Sequence, residues 1–209
     1  MKILVTGLSG LIGGALHRAI GDDHELTAFN RSDVAGVRTV RADLGDMNAL
    51  RQAATGQDVV VHLAAKAGED YTWEELREPY RALVEGRYDQ LPESWPLIEV
   101  DTPVRPRGVY GSTKIWGEAL AHHFADTTPT TFLNVRIGYV NAEDRPNGSR
   151  QHSVWCSQRD VVNALRLASE APEVPSCATF FANSSNRYGY RDLSRGKALL
   201  GYEPQDGAD

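Results

Sequence analysis

The stretch KILVTGLSGLIGG, residues 2–14, decides the fold of this chain. It begins as a short β-rich apolar run and continues into apolar residues at helical spacing. Between these two patterns, glycines let backbone amides at the start of the helix meet a pyrophosphate that side chains would otherwise block. The strand–turn–helix context predicts a dinucleotide-binding turn, with a glycine-rich packing turn as the alternative. The three glycines are Gly7, Gly10 and Gly13.

Strand and helix patterns alternate downstream of this turn. Apolar runs predict strands at 2–6, 24–30, 37–43, 58–65 and 130–138, and helical spacing predicts helices at 11–20, 46–56 and 161–169. Asp46 is expected to cap the second of these helices, and Gly56 to end it. The unbroken VVVHL within 58–65 is typical of a strand covered on both faces. We therefore expect an α/β fold with a doubly wound parallel sheet of the Rossmann type.

Composition sets limits on the function. The chain has 209 residues, 41% of them hydrophobic, which is enough for one domain spanning 1–209. Its formal charge of −6 argues against nucleic-acid and membrane-surface partners, which require basic patches. The two cysteines, Cys156 and Cys177, lie in neither a disulfide nor a metal-binding pattern, and no metal constellation stands out. We expect a cytoplasmic protein with a small-molecule partner.

The tip of the second predicted strand bears on the choice of cofactor. An acidic residue there would select NAD by bonding its ribose hydroxyl, but this chain has Asn30 and Arg31. Asn30 can bond a hydroxyl and Arg31 can pair with a phosphate, so NAD and NADP both stay open. Arg31 as a solvated loop charge is the alternative.

A tyrosine and a lysine stand four positions apart in VYGSTKIWGEAL (109–120). On a helix such residues share a face, so Tyr110 and Lys114 can act as a unit. A nearby ammonium favours an ionised phenol, which makes the tyrosine a better base. Chance occurrence of Y-x-x-x-K is the alternative interpretation.

Together these motifs resemble a known family. The glycine turn, ADL (42–44), HLAA (62–65) and Y-x-x-x-K look like an extended short-chain dehydrogenase/reductase of the NAD-dependent epimerase/dehydratase group. Four further stretches look most like its uronate dehydrogenase branch, which oxidises sugar acids with NAD: VYGSTKIWGEAL, VRIGYV (135–140), SVWCSQRDVVNAL (153–165) and LLGYEPQD (199–206).

The resemblance implies roles for individual residues. It makes Tyr110 the catalytic base and Lys114 the residue that holds the nicotinamide ribose, and it implies that one side of their helix meets its counterpart in a homodimer. It places cofactor contacts at Gly7, Ser9, Gly10, Leu11, Ile12, Gly13, Asn30, Arg31, Asp43, Leu44, Leu63, Ala64, Ala65, Tyr110, Lys114 and Ile137. Tyr139 and Arg150 are the implied substrate contacts, with Arg150 gripping a carboxylate, and 139–160 with 184–209 form a small C-terminal substrate-side region.

The chain departs from the family after HLAA. The family continues through a helix into a fifth strand that ends in a catalytic serine or threonine, and neither the helix nor the strand is found here. Ser94, Thr72 and Thr102 are poorly placed, Ala67 stands where the branch prefers serine, and Tyr139 stands where it prefers a small hydroxyl residue. A unit of roughly 30 residues is therefore expected to be missing between Glu78 and Pro79.

Three accounts of this gap stay open. The residues exist but are unrecorded, or the sheet closes directly onto strand 130–138, or a second chain supplies the pairing. Asp160 is expected to cap the helix at 161–169, and His62 to be a packed strand residue rather than a base.

Three classes of protein function stay open. The first is an oxidoreductase that acts on a hydroxyl of a sugar or sugar acid and releases its cofactor each turnover. The second is a nucleotide-sugar epimerase or dehydratase with tightly held NAD, although only 71 residues follow Gly138. The third is a non-catalytic dinucleotide-binding module.

Overall fold

The computed structural model describes residues 1–65 and 74–209. The chain divides into two compact units, Met1–Lys66 and Ala67–Asp209. The expected single domain over 1–209 stays a prediction. Ala67 and Thr72, which entered the argument about the missing serine, lie outside the described residues.

The first unit is a parallel α/β sheet. Its elements are β1 (Lys2–Thr6), α1 (Leu11–Ile20), β2 (Glu25–Asn30), β3 (Arg38–Arg41), α2 (Met47–Ala54) and β4 (Val59–His62). The strand order is β3-β2-β1-β4, and all three pairings are parallel. This confirms the predicted alternation of strands and helices and the Rossmann-type fold class, with predicted boundaries too wide at several strand ends.

Local sequence signals explain where α2 begins and ends. The carboxylate of Asp46 accepts a hydrogen bond from the amide of Ala49 at 3.0 Å and so caps the helix, as expected. Gly56, just beyond the helix, has a φ of +74°, which a residue with a side chain rarely adopts. The helix buries Ala53 against Leu4 and Phe29 of the sheet. Its cap and its apolar face therefore specify the same helix.

Strand β4 differs from the prediction for VVVHL. Val61 is buried, but Val60 is 50% exposed. Within the described residues β4 pairs only with β1, so it is an edge strand of its sheet. The prediction that both faces of this run are covered was wrong at Val60, because an apolar run alone does not show whether a helix packs on each face.

The second unit contains helices around a two-stranded sheet. Its elements are α3 (Tyr80–Glu85), α4 (Val109–Thr127), β5 (Phe132–Ile137), α5 (Ser149–Val154), α6 (Gln158–Glu170), β6 (Cys177–Ala182) and α7 (Ser194–Leu200), with short 3₁₀ turns at Glu74–Leu76 and Tyr88–Gln90. Strands β5 and β6 pair in parallel from Phe132 with Cys177 to Ile137 with Ala182.

The expected gap shows directly in this unit. Across 74–108 the structure has no strand, only an isolated bridge between Ile98 and Arg191. Ser94 lies in an exposed bend rather than at a strand end. Residues 74–108 therefore lack the fifth strand that the resemblance leads us to expect before Tyr110.

Helix α4 is more exposed than its apolar stripe suggests. Trp116 is 66% exposed and Phe124 is 45% exposed, whereas the buried positions are Ala121 and Ala125. The sequence places apolar residues at Ile115, Trp116, Ala119, Leu120 and Phe124, a pattern that suggests a core-facing stripe, but the two aromatic residues do not lie in the core. No helix in the described ranges is both long and apolar enough to cross a membrane.

Asp160 does not cap α6 as expected. The helix begins at Gln158, and the hydroxyl of Ser157 caps it by accepting the amide of Asp160 at 2.9 Å. The fully buried carboxylate of Asp160 instead accepts hydrogen bonds from the Ser184 hydroxyl and from the amides of Gln205 and Asp206. It therefore ties the C-terminal segment to the unit, so its structural role is clear although its predicted position was wrong.

Replacing Asp160 with asparagine should lower the free energy of unfolding by about 1–2 kcal/mol, because an amide NH₂ would face a backbone N–H donor and leave it unsatisfied. Urea unfolding followed by circular dichroism measures the loss. Asp126→Asn is the matched control, since Asp126 lies exposed on α4. Equal midpoints for the two variants would contradict the assigned role of Asp160.

Candidate active site

The glycine turn of the first unit is built by close backbone contacts. Gly7 has a φ of +78°, and a Cβ on it would lie 2.9 Å from the amide nitrogen of Ala64. A Cβ on Gly13 would lie 2.5 Å from the carbonyl oxygen of Gly7. Only glycine fits at these two positions, because each conflict is with backbone. Gly10 is more open, and its amide donates to the carbonyl of Gly7 at 3.0 Å.

The glycine turn leads directly into α1, and no side chain caps the start of this helix. Gly10 is the N-cap residue and offers no side chain to the first amides of the helix. The first turn of any helix leaves N–H groups without intrahelical partners, and the helix dipole favours an anion there. Ser9, Gly10 and Leu11 are exposed at this end, so the amides can serve a pyrophosphate.

Other predicted cofactor contacts of the first unit lie at the same edge of its sheet. Because its four strands are parallel, their carboxyl ends meet there. Gly7 donates to the carbonyl of Phe29, and Ala42 donates to that of Asn30. The edge carries Asn30, Arg31, Asp43, Leu44, Leu63, Ala64 and Ala65, of which Asn30 is buried and Arg31, Asp43, Leu44 and Ala65 are exposed.

Asn30 gives an observation that favours a ligand at this edge. The residue is 5% exposed, and its Nδ2 has no hydrogen-bond partner in the part of the chain described. A buried amide without a partner costs free energy, and a ribose hydroxyl would satisfy it. Together with the uncapped helix start and the glycine cradle, this shows that the residues present fit a dinucleotide.

Sequence reasoning missed one pair beside the turn. The hydroxyl of Thr6 lies 2.8 Å from Nδ1 of His62 and accepts the amide of Ala64 at 3.3 Å. His62 was expected to be packed, but the residue is exposed and held by this hydrogen bond. The pair fixes the ends of β1 and β4 side by side. The only sequence signal for this pair is that Thr6 and His62 each stand at the end of a strand, on two strands that pair with each other.

Tyr110 and Lys114 lie together near the start of α4 in the second unit. Nζ of Lys114 is 5.2 Å from the centroid of the Tyr110 ring, and both residues are exposed. A cation at this distance from an aromatic face is attracted to it. The helix spacing that suggested a pair thus brings the two side chains into contact.

Helix α4 is fixed to β5 by an ion pair. Nε and Nη2 of Arg136 each donate to a carboxylate oxygen of Glu118 at 2.8 Å, and Nη1 donates to the carbonyl of Val100 at 3.1 Å. A bidentate pair of this kind restricts orientation as well as separation. It gives Tyr110 and Lys114 a rigid support. Ile137, a predicted cofactor contact, ends the same strand.

The two predicted substrate residues have quite different surroundings. Tyr139 follows β5 and packs against a buried cluster that includes Leu83 and Tyr190. Arg150 lies in α5, and its guanidinium makes two hydrogen bonds to the buried carboxylate of Glu75, at 3.0 and 3.3 Å. Glu75 is a buried partner of Arg150 that the sequence analysis did not single out.

The described residues hold no group of three or more His, Cys, Asp or Glu side chains that could bind a metal. Cys156 is buried, and burial raises the pKa of its thiol, which makes it a poor nucleophile. The candidate functional groups are the polar groups at the carboxyl ends of the strands and, in the second unit, the Tyr110–Lys114 pair. The parallel sheet and its glycine turn define a Rossmann-type α/β protein whose first unit fits a dinucleotide.

Comparison with known proteins gives the family. Residues 3–91 match the model of the NAD dependent epimerase/dehydratase family. The chain is also 30% identical to uronate dehydrogenase of Agrobacterium fabrum, over 100% of this chain and 86% of that protein. This chain therefore belongs to the NAD dependent epimerase/dehydratase family.

Two further relatives are similar over nearly the whole chain. An L-arabinose 1-dehydrogenase (NAD(P)(+)) of Haloferax volcanii is 29% identical, over 98% of this chain and 96% of that one. The crystal structure of a uronate dehydrogenase variant from Agrobacterium tumefaciens, complexed with NAD, is 28% identical with a TM-score of 0.78, over 99% of this chain and 85% of that one.

Two of these alignments are longer than the chain. The match to the arabinose dehydrogenase runs over 247 positions, whereas this chain has 209 residues. The relative therefore carries residues with no counterpart here. This agrees with the expected loss of a helix-plus-strand unit, and with the lack of a strand across 74–108.

Proposed function

We propose that this protein is an NAD(P)-dependent dehydrogenase that oxidises a hydroxyl group of a sugar or sugar acid. The observation that carries the proposal is the contact between Lys114 and Tyr110 on a rigidly held helix. It is supported by the fit of the glycine turn and Asn30 to a dinucleotide. The relatives named for arabinose and uronate oxidation support the substrate class.

Each residue has a definite task in this proposal. The amides that open α1 bind the pyrophosphate, and Asn30 bonds the adenosine ribose. The bound dinucleotide supplies the hydride acceptor. Tyr110 accepts the proton of the substrate hydroxyl, and the ammonium of Lys114 stabilises the phenolate that does so. NAD is the proposed cofactor, with NADP also accepted because Asn30 and Arg31 replace the usual acidic residue.

Mixing the protein with NAD or NADP and a panel of aldoses and aldouronates should produce the near-ultraviolet absorbance of reduced nicotinamide. The reason is that a dehydrogenase releases reduced cofactor each turnover, whereas an epimerase returns the hydride to its substrate. Protein denatured by heat is the control.

Two outcomes would contradict the proposal. NAD that copurifies with the protein, together with no net reduction, would favour an epimerase or dehydratase. Dinucleotide binding in calorimetry without turnover of any sugar would favour a non-catalytic binding module. The homodimer and the cytoplasmic location stay predictions, to be checked by light scattering and cell fractionation.

A further inference from the structure

Glu75 is a buried charged group to which the proposed mechanism gives no task. The residue is 1% exposed, although it sits in a short 3₁₀ turn near the beginning of the second unit's described part. Burying a carboxylate is costly unless it is paired and hydrogen-bonded. Its partners therefore indicate what it does.

Two of its partners are Arg150 and Tyr190. Nε and Nη2 of Arg150 donate to the two oxygens of Glu75 at 3.0 and 3.3 Å, and the hydroxyl of Tyr190 also donates to Glu75. Burial raises the pKa of Tyr190, which keeps its hydroxyl protonated as a donor. The guanidinium and the carboxylate thus form a neutral, bidentate pair.

This pair lies beside the region where a ligand is expected. Ligands of parallel α/β sheets bind at the carboxyl ends of strands, and Tyr139 follows the carboxyl end of β5. The amide of Tyr139 donates to the carbonyl of Val154 at 2.7 Å, and its own carbonyl accepts the amide of Cys156 at 2.9 Å. These bonds attach Tyr139 to the end of α5, the helix that carries Arg150.

Helix α5 and the residue after it carry one partly exposed charged group and two buried polar groups. The Arg150 side chain is 27% exposed, so a ligand can reach it from solvent. On the same segment, the buried Ser153 Oγ and Trp155 Nε1 have no hydrogen-bond partner within residues 1–65 and 74–209. Unused hydrogen-bonding groups of this kind suit the hydroxyls of a sugar.

We propose that Glu75 determines the substrate class: by neutralising Arg150 it makes the site accept a neutral aldose in preference to an aldouronate. The inference rests on the proposed function, which leaves sugar and sugar acid open. A substrate carboxylate at Arg150 would meet a second carboxylate held by the same guanidinium, and like charges at that range repel. A neutral sugar meets no such repulsion.

Three sugars isolate the effect of charge. The three are L-arabinose, D-galactose and D-galacturonate. Their pyranose rings have the same configuration and differ only in the substituent on C5, which is hydrogen, hydroxymethyl and carboxylate, respectively. We expect kcat/KM for L-arabinose or D-galactose to exceed that for D-galacturonate by at least about 10-fold. In Glu75→Gln the ratio should shift toward galacturonate by about 10-fold or more, because the guanidinium then lacks its anion. Glu74→Gln, one residue away, is the matched control and should keep the parent ratio.

A second measurement separates this inference from the proposed function. Saturation-transfer NMR competition between D-galactose and D-galacturonate reports sugar binding without any turnover. If dinucleotide binds but no sugar is oxidised, the dehydrogenase proposal fails, and the NMR preference alone decides the role of Glu75. Preference of the parent protein for galacturonate would overturn it, as would an unchanged ratio in folded Glu75→Gln. If Glu75→Gln does not fold, the preference of the parent protein decides.

Discussion

Tyr110→Phe is expected to lower kcat by roughly 10²–10⁴-fold, the usual contribution of a positioned general base. Phenylalanine keeps the ring against which Lys114 lies and removes only the hydroxyl that accepts the proton. The affinity for dinucleotide, measured by calorimetry, should therefore change little. Initial rates of nicotinamide reduction across a range of sugar concentrations give kcat directly.

Tyr88→Phe is the control for this variant. Tyr88 lies in the same unit and stacks on Tyr188, with ring centroids 3.8 Å apart, so the substitution also removes one phenol from a partly buried tyrosine. Its activity should match that of the parent. If Tyr110→Phe retained more than about half of the parent rate, Tyr110 would not be the base and another group would have to accept the proton.

Gly13→Ala is expected to cost about 2–3 kcal/mol of stability and to weaken dinucleotide binding at least 10-fold. The new Cβ would lie 2.5 Å from the Gly7 carbonyl oxygen and 2.7 Å from both Cα and the carbonyl oxygen of Leu8. These neighbours are backbone, so no side-chain rotation relieves the overlap. Helix α1 must move away from the turn, which separates the pyrophosphate amides. Thermal melting should show a decrease of roughly 4–12 °C in Tm.

Gly14→Ala offers an unusually close control. The adjacent glycine lies in the same helix, and a Cβ there would meet only the Arg18 guanidinium at 3.7 Å, an ordinary contact. Because alanine favours helix over glycine by up to about 1 kcal/mol, this variant should melt at or above the parent temperature. If the two variants melted together, the close approach at Gly13 would not matter for the turn.

The part of the fold that the sequence could predict is the part built by local signals. The glycine turn, the cap at Asp46 and the stop at Gly56 each depend on a few neighbouring residues, and all three occur as expected. The contact between Tyr110 and Lys114 is similarly local, since helix spacing alone brings them together. Local rules also revealed the missing unit, because the sequence between residues 66 and 110 contains no strand pattern.

The rest depends on contacts between distant residues. Glu75 and Arg150 are 75 positions apart, and nothing in WEELREPY distinguishes Glu75 from Glu74 as the buried member. Asp160 was assigned to a cap by its position before an apolar run, but its partners lie in the C-terminal segment. The exposure of Val60 depends on what packs on its face of the sheet. Such features follow from topology, which spacing along the chain does not encode.

Among the residues that the structure describes, β4 is paired on one side only, and this has a practical consequence for handling the purified protein. A strand paired on one side offers free amides and carbonyls to any extended chain it meets, and the half-exposed Val60 adds an apolar contact. Concentrating the sample brings such strands together, while the charge of −6 keeps molecules apart only where salt is low. Dilute storage in buffers of low ionic strength therefore suits this molecule better than the high-salt conditions often used to concentrate and precipitate enzymes.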